Sequence, residues 1–457
     1  MVVDLFQMID DFIWGPPLLI LLVGTGIYLT FVLRGIQFNQ LFHSLRLVFK
    51  NETDSDGDIS SFAALCTALA GTVGTGNIVG VATAIAIGGP GALFWMWFAA
   101  LFGMATKYSE GLLAVKFRVK DEQQHVSGGP MYYILNGMGQ KYRPLATMFA
   151  FSGILVALFG IGTFTQVNAI TEALHNQFAI PNLLTGFILA LLVMLIVFGG
   201  ITIISKVASF IVPFMALLYI VACLFIIIAN WQLLDDSLLL IIQSAFTKTA
   251  ATGGFVGSTM KAAIQNGIAR GVFSNESGLG SSPIASAAAK SNSAVEQGLV
   301  SMTGTFIDTI IICTLTGIVL IITGAWQTEF RGALMTQYAF NAYFSEYGPF
   351  ILTISLSLFA FTTILGWNYY GERCFEFLFG LKYIRYYHLF FVSMVFIGSF
   401  LNLDLVWIIA DIVNGLMAIP NLISLIALSP IIIKETRAYF KAKQYNNETR
   451  LEPIKYY

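Results

Sequence analysis

Two stretches gather glycine with small hydroxyl and amide side chains inside otherwise apolar sequence: ALAGTVGTGNIVGVATAIAIGG at 68–89 and NGIARGVFSNESGLGSSPIASAAA at 266–289. The first holds Gly71, Gly74, Gly76 and Gly80; the second holds Gly267, Gly271, Gly278, Gly280 and Pro283. Each glycine costs a helix roughly 1 kcal/mol relative to alanine, so both stretches are expected to unwind midway. An interrupted helix exposes N–H groups at one new end and C=O groups at the other, each end carrying about half a unit charge. Free N–H groups suit a carboxylate, and free C=O groups suit an ammonium or an alkali cation. A zwitterion and a cation could therefore be held together without any fixed ionised side chain.

Few fixed charges accompany these stretches. Lys107 and Glu110 lie one helical turn apart in apolar sequence, which reads as an internal ion pair or gate near a cytoplasmic end. Glu276 falls inside the second glycine stretch and Asp308 inside GTFIDTIIICT. A charge within a membrane span costs roughly 2.5–3.5 kcal/mol, so both are candidates for coupling, by carrying a proton or binding a cation. The structural alternatives are that Glu276 accepts loose N–H bonds and that Asp308 pairs with Arg270 or a nearby threonine. Other chemistries find no support. The Gly71–Gly80 run resembles a phosphate loop but lacks the preceding strand. Cys66, Cys223, Cys313 and Cys374, like His43, His125, His175 and His388, are dispersed without metal-ligand or disulfide spacing. No nucleophile–base pair is evident, so neither an enzyme nor a bound cofactor is expected. The net charge of −1 is scattered between apolar runs and gives no nucleic-acid surface.

The elements that must position these residues follow from composition. The chain has 457 residues, 57% of them hydrophobic and only 11% charged, with a mean hydropathy of +0.77. A soluble domain carries about 25% charged residues, so lipid must surround much of this chain, as in an all-α integral membrane protein. Eleven spans are expected near 12–33, 60–87, 91–117, 144–170, 183–199, 204–229, 258–288, 295–323, 347–370, 386–401 and 404–433. With the N-terminus outside, nineteen Lys and Arg fall in cytoplasmic segments and only Lys248 and Arg331 outside, the asymmetry that the positive-inside rule demands. The C-terminus, with the tail at 434–457, is then cytoplasmic. The first residues are acidic (Asp4, Asp10, Asp11), where a cleaved export signal would be basic, so none is expected. Residues 125–141 read as a short helix at the cytoplasmic interface, 237–257 as an exterior loop or lid, and Asp54, Asp56 and Asp58 as a solvated loop. Phe94, Trp95, Trp97 and Phe98 read as an interfacial aromatic belt.

The two glycine stretches echo one another: Gly74-Thr75-Gly76-Asn77 aligns with Gly278-Leu279-Gly280-Ser281, each followed by small residues. Five spans separate their starts, so the halves that contain them cross in opposite directions. Broken helices at matching places in two inverted halves point to the binding site of a secondary transporter. A channel would instead need a continuous polar pore.

At GTVGTGNIVG (71–80), GVFSNESGLGSSPIA (271–285) and FTTILGWNYYGE (361–372), the chain resembles the alanine or glycine:cation symporter family over nearly its whole length. The resemblance implies a leucine-transporter-like fold: an extra first helix (12–33), then two inverted five-helix repeats (60–229 and 258–433) with discontinuous helices. It implies sodium-coupled import of alanine, glycine or a similar small amino acid across a bacterial or archaeal cytoplasmic membrane by a monomer, with protons as the rival coupling ion. Carbonyls near Ala70 and Val73, with the hydroxyls of Thr362 and Thr363, would bind Na+, an all-oxygen set suited to a hard cation. The unwound Thr75, Gly76 and Asn77, with Phe273, Ser274 and Asn275, would hold the substrate. Gln166 would point into the same pocket, and Gly415 and Met417 would line it.

Overall fold

The computed structural model describes residues 2–50, 56–246, 260–401 and 403–451. Helices dominate. The strands among the described residues are Val119–Lys120 and Val126–Ser127, paired antiparallel in the register Val119↔Ser127 and Lys120↔Val126. Among the described residues, each expected span overlaps one or more helices. Five helices are long and apolar enough to cross a membrane by themselves: Gln140–Phe178, Gly200–Ala229, Ala294–Ile322, Tyr347–Phe379 and Ile408–Ala427. The pair Ser61–Thr72 and Gly76–Gly88, bent by 53° at its break, would make a sixth. Pro16–Val32 and Asn182–Val197 are apolar but shorter.

The expected interruptions have clear local causes. Thr72 ends the first half-helix because Val73 turns to an extended conformation (ψ 93°). The second runs from Met260 to Asn275 and resumes at Ser282–Ala287. Between them Glu276, Gly278 and Gly280 all take positive φ, the region that glycine enters without the Cβ penalty. A third interruption went unforeseen. The helix Arg143–Phe159 stops at Gly160 and resumes at Phe164. A Cβ on Gly162 would lie 2.7 Å from the Trp367 side chain, so glycine is needed there for close approach.

Several expectations are corrected. Residues 125–141 do not lie simply at an interface: Pro130, Met131 and Tyr133 are buried, and Tyr133 donates to the Asn421 side chain. Phe94, Trp95 and Trp97, read as a belt, are half-buried and also make contacts within the molecule. Phe94 meets Phe246 edge-on (centroids 5.0 Å), the Trp95 indole donates to the Ala245 carbonyl (3.2 Å), and Trp97 donates to Thr314 (2.8 Å). Asp56 is exposed, as expected of a solvated loop, whereas Asp58 is half-buried and donates its N–H to the Ala288 carbonyl (2.8 Å). The region given to the tail is helical from Ser429 to Leu451. It docks on the body through Tyr108–Thr436 (2.7 Å) and Lys116–Glu435 (2.8 Å). Of the expected lid, residues up to Phe246 belong to the helix Leu234–Phe246, and 247–257 lie outside the described residues.

Candidate functional site

The two breaks meet. A Cβ on Gly76 would come within 3.1 Å of the Ser274 Cα, so the absence of a side chain at Gly76 eases the close approach of the two backbones. Asn77 knits its own break: its Oδ1 accepts the Gly74 N–H (2.9 Å). In a continued helix that N–H would bond the Ala70 carbonyl, so the local sequence itself frees a main-chain oxygen at the bend.

Asp308 joins the two breaks. One carboxylate oxygen accepts from the Asn77 amide (2.8 Å), and the other from Ser274 (2.9 Å) and Thr309 (2.7 Å). Asn275 donates to Thr309 (3.0 Å), extending the network. Three hydrogen bonds, from Asn77, Ser274 and the adjacent Thr309, hold this carboxylate in place between the glycine stretches. Arg270, a sequence-based partner for Asp308, pairs instead with Asp411 (3.1 Å) and lies over the Phe273 ring (5.3 Å to its centroid).

The second break is braced from below. Lys107 donates to the Glu276 carbonyl (3.1 Å), and Glu110 accepts the Gly278 N–H (3.1 Å). The two residues expected to form an ion pair thus each cap a main-chain group of the unwound segment. Asn421 bonds both Glu110 (2.6 Å) and the Gly278 carbonyl (2.9 Å). The Glu276 carboxylate accepts from the Trp367 indole (3.0 Å) and from Ser281.

A cavity of about 400 Å³ reaches this junction. Its lining runs from the buried Thr75, Gly76 and Phe273 at the floor to the exposed Glu172 and Arg331. Gln166 lies at the floor's edge, where its amide donates to Thr75 (3.2 Å) and to the Ile161 carbonyl (3.0 Å). Its Oε1 is buried without a partner among the described residues. Thr363 faces the first break, with its Oγ1 2.5 Å from where a Gly74 Cβ would stand. Thr362 turns toward Met215 (3.5 Å). Both hydroxyls share the Phe359 carbonyl at 3.0 Å. The remaining two predicted residues lie apart from the cavity wall. Gly415 packs against Ile13, Leu18 and Trp14, and Met417 lies near Gly153.

The structure therefore brings together Thr75, Gly76, Asn77, Phe273, Ser274, Asn275, Asp308, Gln166 and Thr363. Sequence reasoning missed Trp367, Asn421, Tyr133 and the Arg270–Asp411 pair. Trp367 lies inside the quoted FTTILGW run, next to the threonines that drew attention. Asn421 follows Pro420 in an apolar helix and carries no local signal; only its contacts across the fold reveal it.

The sodium:alanine symporter family model matches residues 1–453. The chain is 48% identical over 445 residues to the sodium/alanine symporter AgcS of Methanococcus maripaludis, covering 96% of this chain and 97% of that one. It is 57% identical over 454 residues to an uncharacterized transporter of Haemophilus influenzae, covering 99% of each. Among solved structures it superposes on MhsT in complex with L-phenylalanine with a TM-score of 0.58 at 13% identity, covering 84% of this chain and 99% of that one. That likeness shows the shared transporter fold alone. The chain belongs to the sodium:alanine symporter family, and it is a transporter rather than an enzyme.

Proposed function

We propose that the chain imports alanine, glycine or a similarly small amino acid together with Na+ by alternating access. The observation that carries this reading is the junction of the two breaks, Gly76 against Ser274, at the floor of a cavity of about 400 Å³. The substrate carboxylate would take main-chain N–H groups near Thr75 and Gly76. Its ammonium would face the oxygens around Phe273 and Ser274 and the unpartnered Gln166 Oε1. The Ala70 and Val73 carbonyls with Thr363 and Thr362 would hold Na+, and the Asp308 charge would favour a cation at the junction. The relatives point the same way: one is named a sodium/alanine symporter, and another, 37% identical, a probable sodium/glutamine symporter of Bacillus subtilis.

In this reading eleven spans cross the membrane, with 12–33 as the extra helix, 60–229 and 258–433 as inverted repeats, and 434–457 inside the cell. The N-terminus is outside, and the protein acts as a monomer in the cytoplasmic membrane. The cavity, walled by Glu172 and Arg331, then faces outward. At about 100 mV, one entering charge releases roughly 2.3 kcal/mol, enough for about 40-fold accumulation at 1.4 kcal/mol per tenfold, before the sodium gradient adds to it.

Proton coupling is the second reading, favoured by the buried carboxylates Glu276 and Asp308 near Lys107. Purified protein in liposomes decides between them. Labelled alanine should accumulate with an inward sodium gradient at fixed pH and fail without sodium. Uptake that ignores sodium and follows a proton gradient would replace Na+ with H+. A third result, no gradient-driven uptake of any small amino acid, would remove the symport reading.

A further inference from the structure

At the end of the molecule opposite the cavity, the entry to the first broken helix is bonded to the exit from the second. Asp58 and Ile59, just before Ser61–Thr72, donate their N–H groups to the Ala288 carbonyl (2.8 and 3.1 Å). Lys290, just after Ser282–Ala287, donates to the Ile59 carbonyl (2.6 Å), so that Ile59 and Ala289 form a parallel β-bridge. Gly57 makes the approach possible: a Cβ there would stand 2.5 Å from the Ala289 carbonyl.

Arg118, at the end of the helix Gly91–Lys116, clamps this crossing. Its Nη1 donates to the carbonyls of Ala287 (3.0 Å) and Ala289 (2.8 Å), and its Nη2 to those of Asp56 (2.8 Å) and Ser291 (3.3 Å). A guanidinium presents its donors in a rigid planar fork, and here the fork bonds main chain on both sides of the crossing. Ser61 adds a bond to the Lys290 carbonyl (3.3 Å).

A path toward this end could open in two ways. The first half-helix could swing away alone, or both half-helices could move as one body. We infer that the Arg118 clip makes one body of Ser61–Thr72, Ser282–Ala287 and the end of Gly91–Lys116, which stays joined throughout the transport cycle. Opening at this end then happens where that body meets the rest of the fold. There, Ser127 donates to Glu376 (3.0 Å) and Arg373 bonds Ser127 (2.9 Å). The inference rests on the alternating-access reading and adds which parts separate.

Paired cysteines test it. Bridge partners lie on neighbouring strands about 4.8 Å apart, within the span of a disulfide. Ile59→Cys with Ala289→Cys, in a background lacking the four native cysteines, joins the two segments. Ser61→Cys with Lys290→Cys gives an independent second staple, and Ser127→Cys with Glu376→Cys staples the surface expected to part. Each variant is reconstituted, and sodium-driven alanine uptake is compared oxidised and reduced. The expected result is uptake within about twofold of the reduced rate for the first two staples, and loss on oxidation, restored by reductant, for the third. If either clip staple abolishes uptake reversibly, the half-helices separate during transport and the inference is overturned. If all three staples form and the third also leaves uptake intact, the proposed parting surface is wrong. Failure of unmodified protein to take up alanine indicts the transport reading instead, and spin-label distances between positions 59 and 289 in both gradient states then test the clip alone.

Discussion

At the residue scale, Asp308 and Asn77 tie the two breaks together. Asn77 bonds its own broken backbone on one side and Asp308 on the other, so it transmits the position of one break to the other. Asn77→Ala leaves the Gly74 N–H and one carboxylate oxygen short of partners. Alanine uptake should fall at least tenfold while membrane expression persists, because a lost bond to a buried charge costs about 1.5–3 kcal/mol. Wild-type uptake in the variant would show that the junction does not hold the substrate. The two threonines should behave differently despite their adjacency. Thr363 faces Gly74 whereas Thr362 turns toward Met215. Thr363→Ala should therefore raise the sodium concentration for half-maximal uptake more than Thr362→Ala does, with the double variant worst. An unchanged sodium dependence in the double variant rejects the proposed ion site.

At the element scale, close backbone approach decides what the broken helices tolerate. Gly76→Ala drives a methyl to 3.1 Å from Ser274 Cα, and the neighbour is main chain, which cannot rotate aside. Overpacking of this kind costs about 1–3 kcal/mol. Thermal unfolding in detergent should drop by several degrees and uptake should fall sharply. Gly80→Ala, whose Cβ would meet open space in the cavity, should leave thermal unfolding unchanged and serves as the stability control. If Gly76→Ala behaves like Gly80→Ala, the two breaks do not press on each other. The brace beneath the second break is also an element property. Glu110 and Asn421 hold Gly278 from two different helices. Asn421→Leu fills similar volume but removes both bonds, so the end opposite the cavity should admit a thiol reagent to Ser281→Cys more quickly than in the parent. Equal labelling rates would mean that the brace does not close that end.

At the scale of the whole molecule, the cavity and the clip lie at opposite ends of the broken helices. One end is roomy down to Thr75 and Phe273; the other is bonded through Arg118, Asn421 and Arg373. This asymmetry is what one stage of an alternating-access cycle requires, because both ends open at once would let the ion gradient leak. Sodium and substrate binding should favour the same state, and such coupling is reciprocal. Sodium should therefore tighten alanine binding by the same factor by which alanine tightens sodium binding. Titration calorimetry of alanine with and without sodium checks this, and an alanine affinity that ignores sodium would mean that the two ligands do not favour the same state.

The sequence by itself determined the membrane setting, the helical class, both interruptions and most residues at their junction. Those properties are local: apolar run length, glycine density and small polar residues beside a break. It also carried Asn77, Ser274 and Asp308 to the page as candidates, though without their mutual bonds. Only the tertiary structure decided that Arg270 pairs with Asp411, that Lys107 and Glu110 cap main-chain groups, that Gly415 packs on Trp14 and that Arg118 clamps residues far apart in the chain. Each of those depends on which helix faces which. Periodicity shows that a helix has an apolar surface, but in lipid nearly every surface is apolar, so the pattern that reveals orientation in water is silent here. Partners from distant segments become visible only once packing has chosen among those faces.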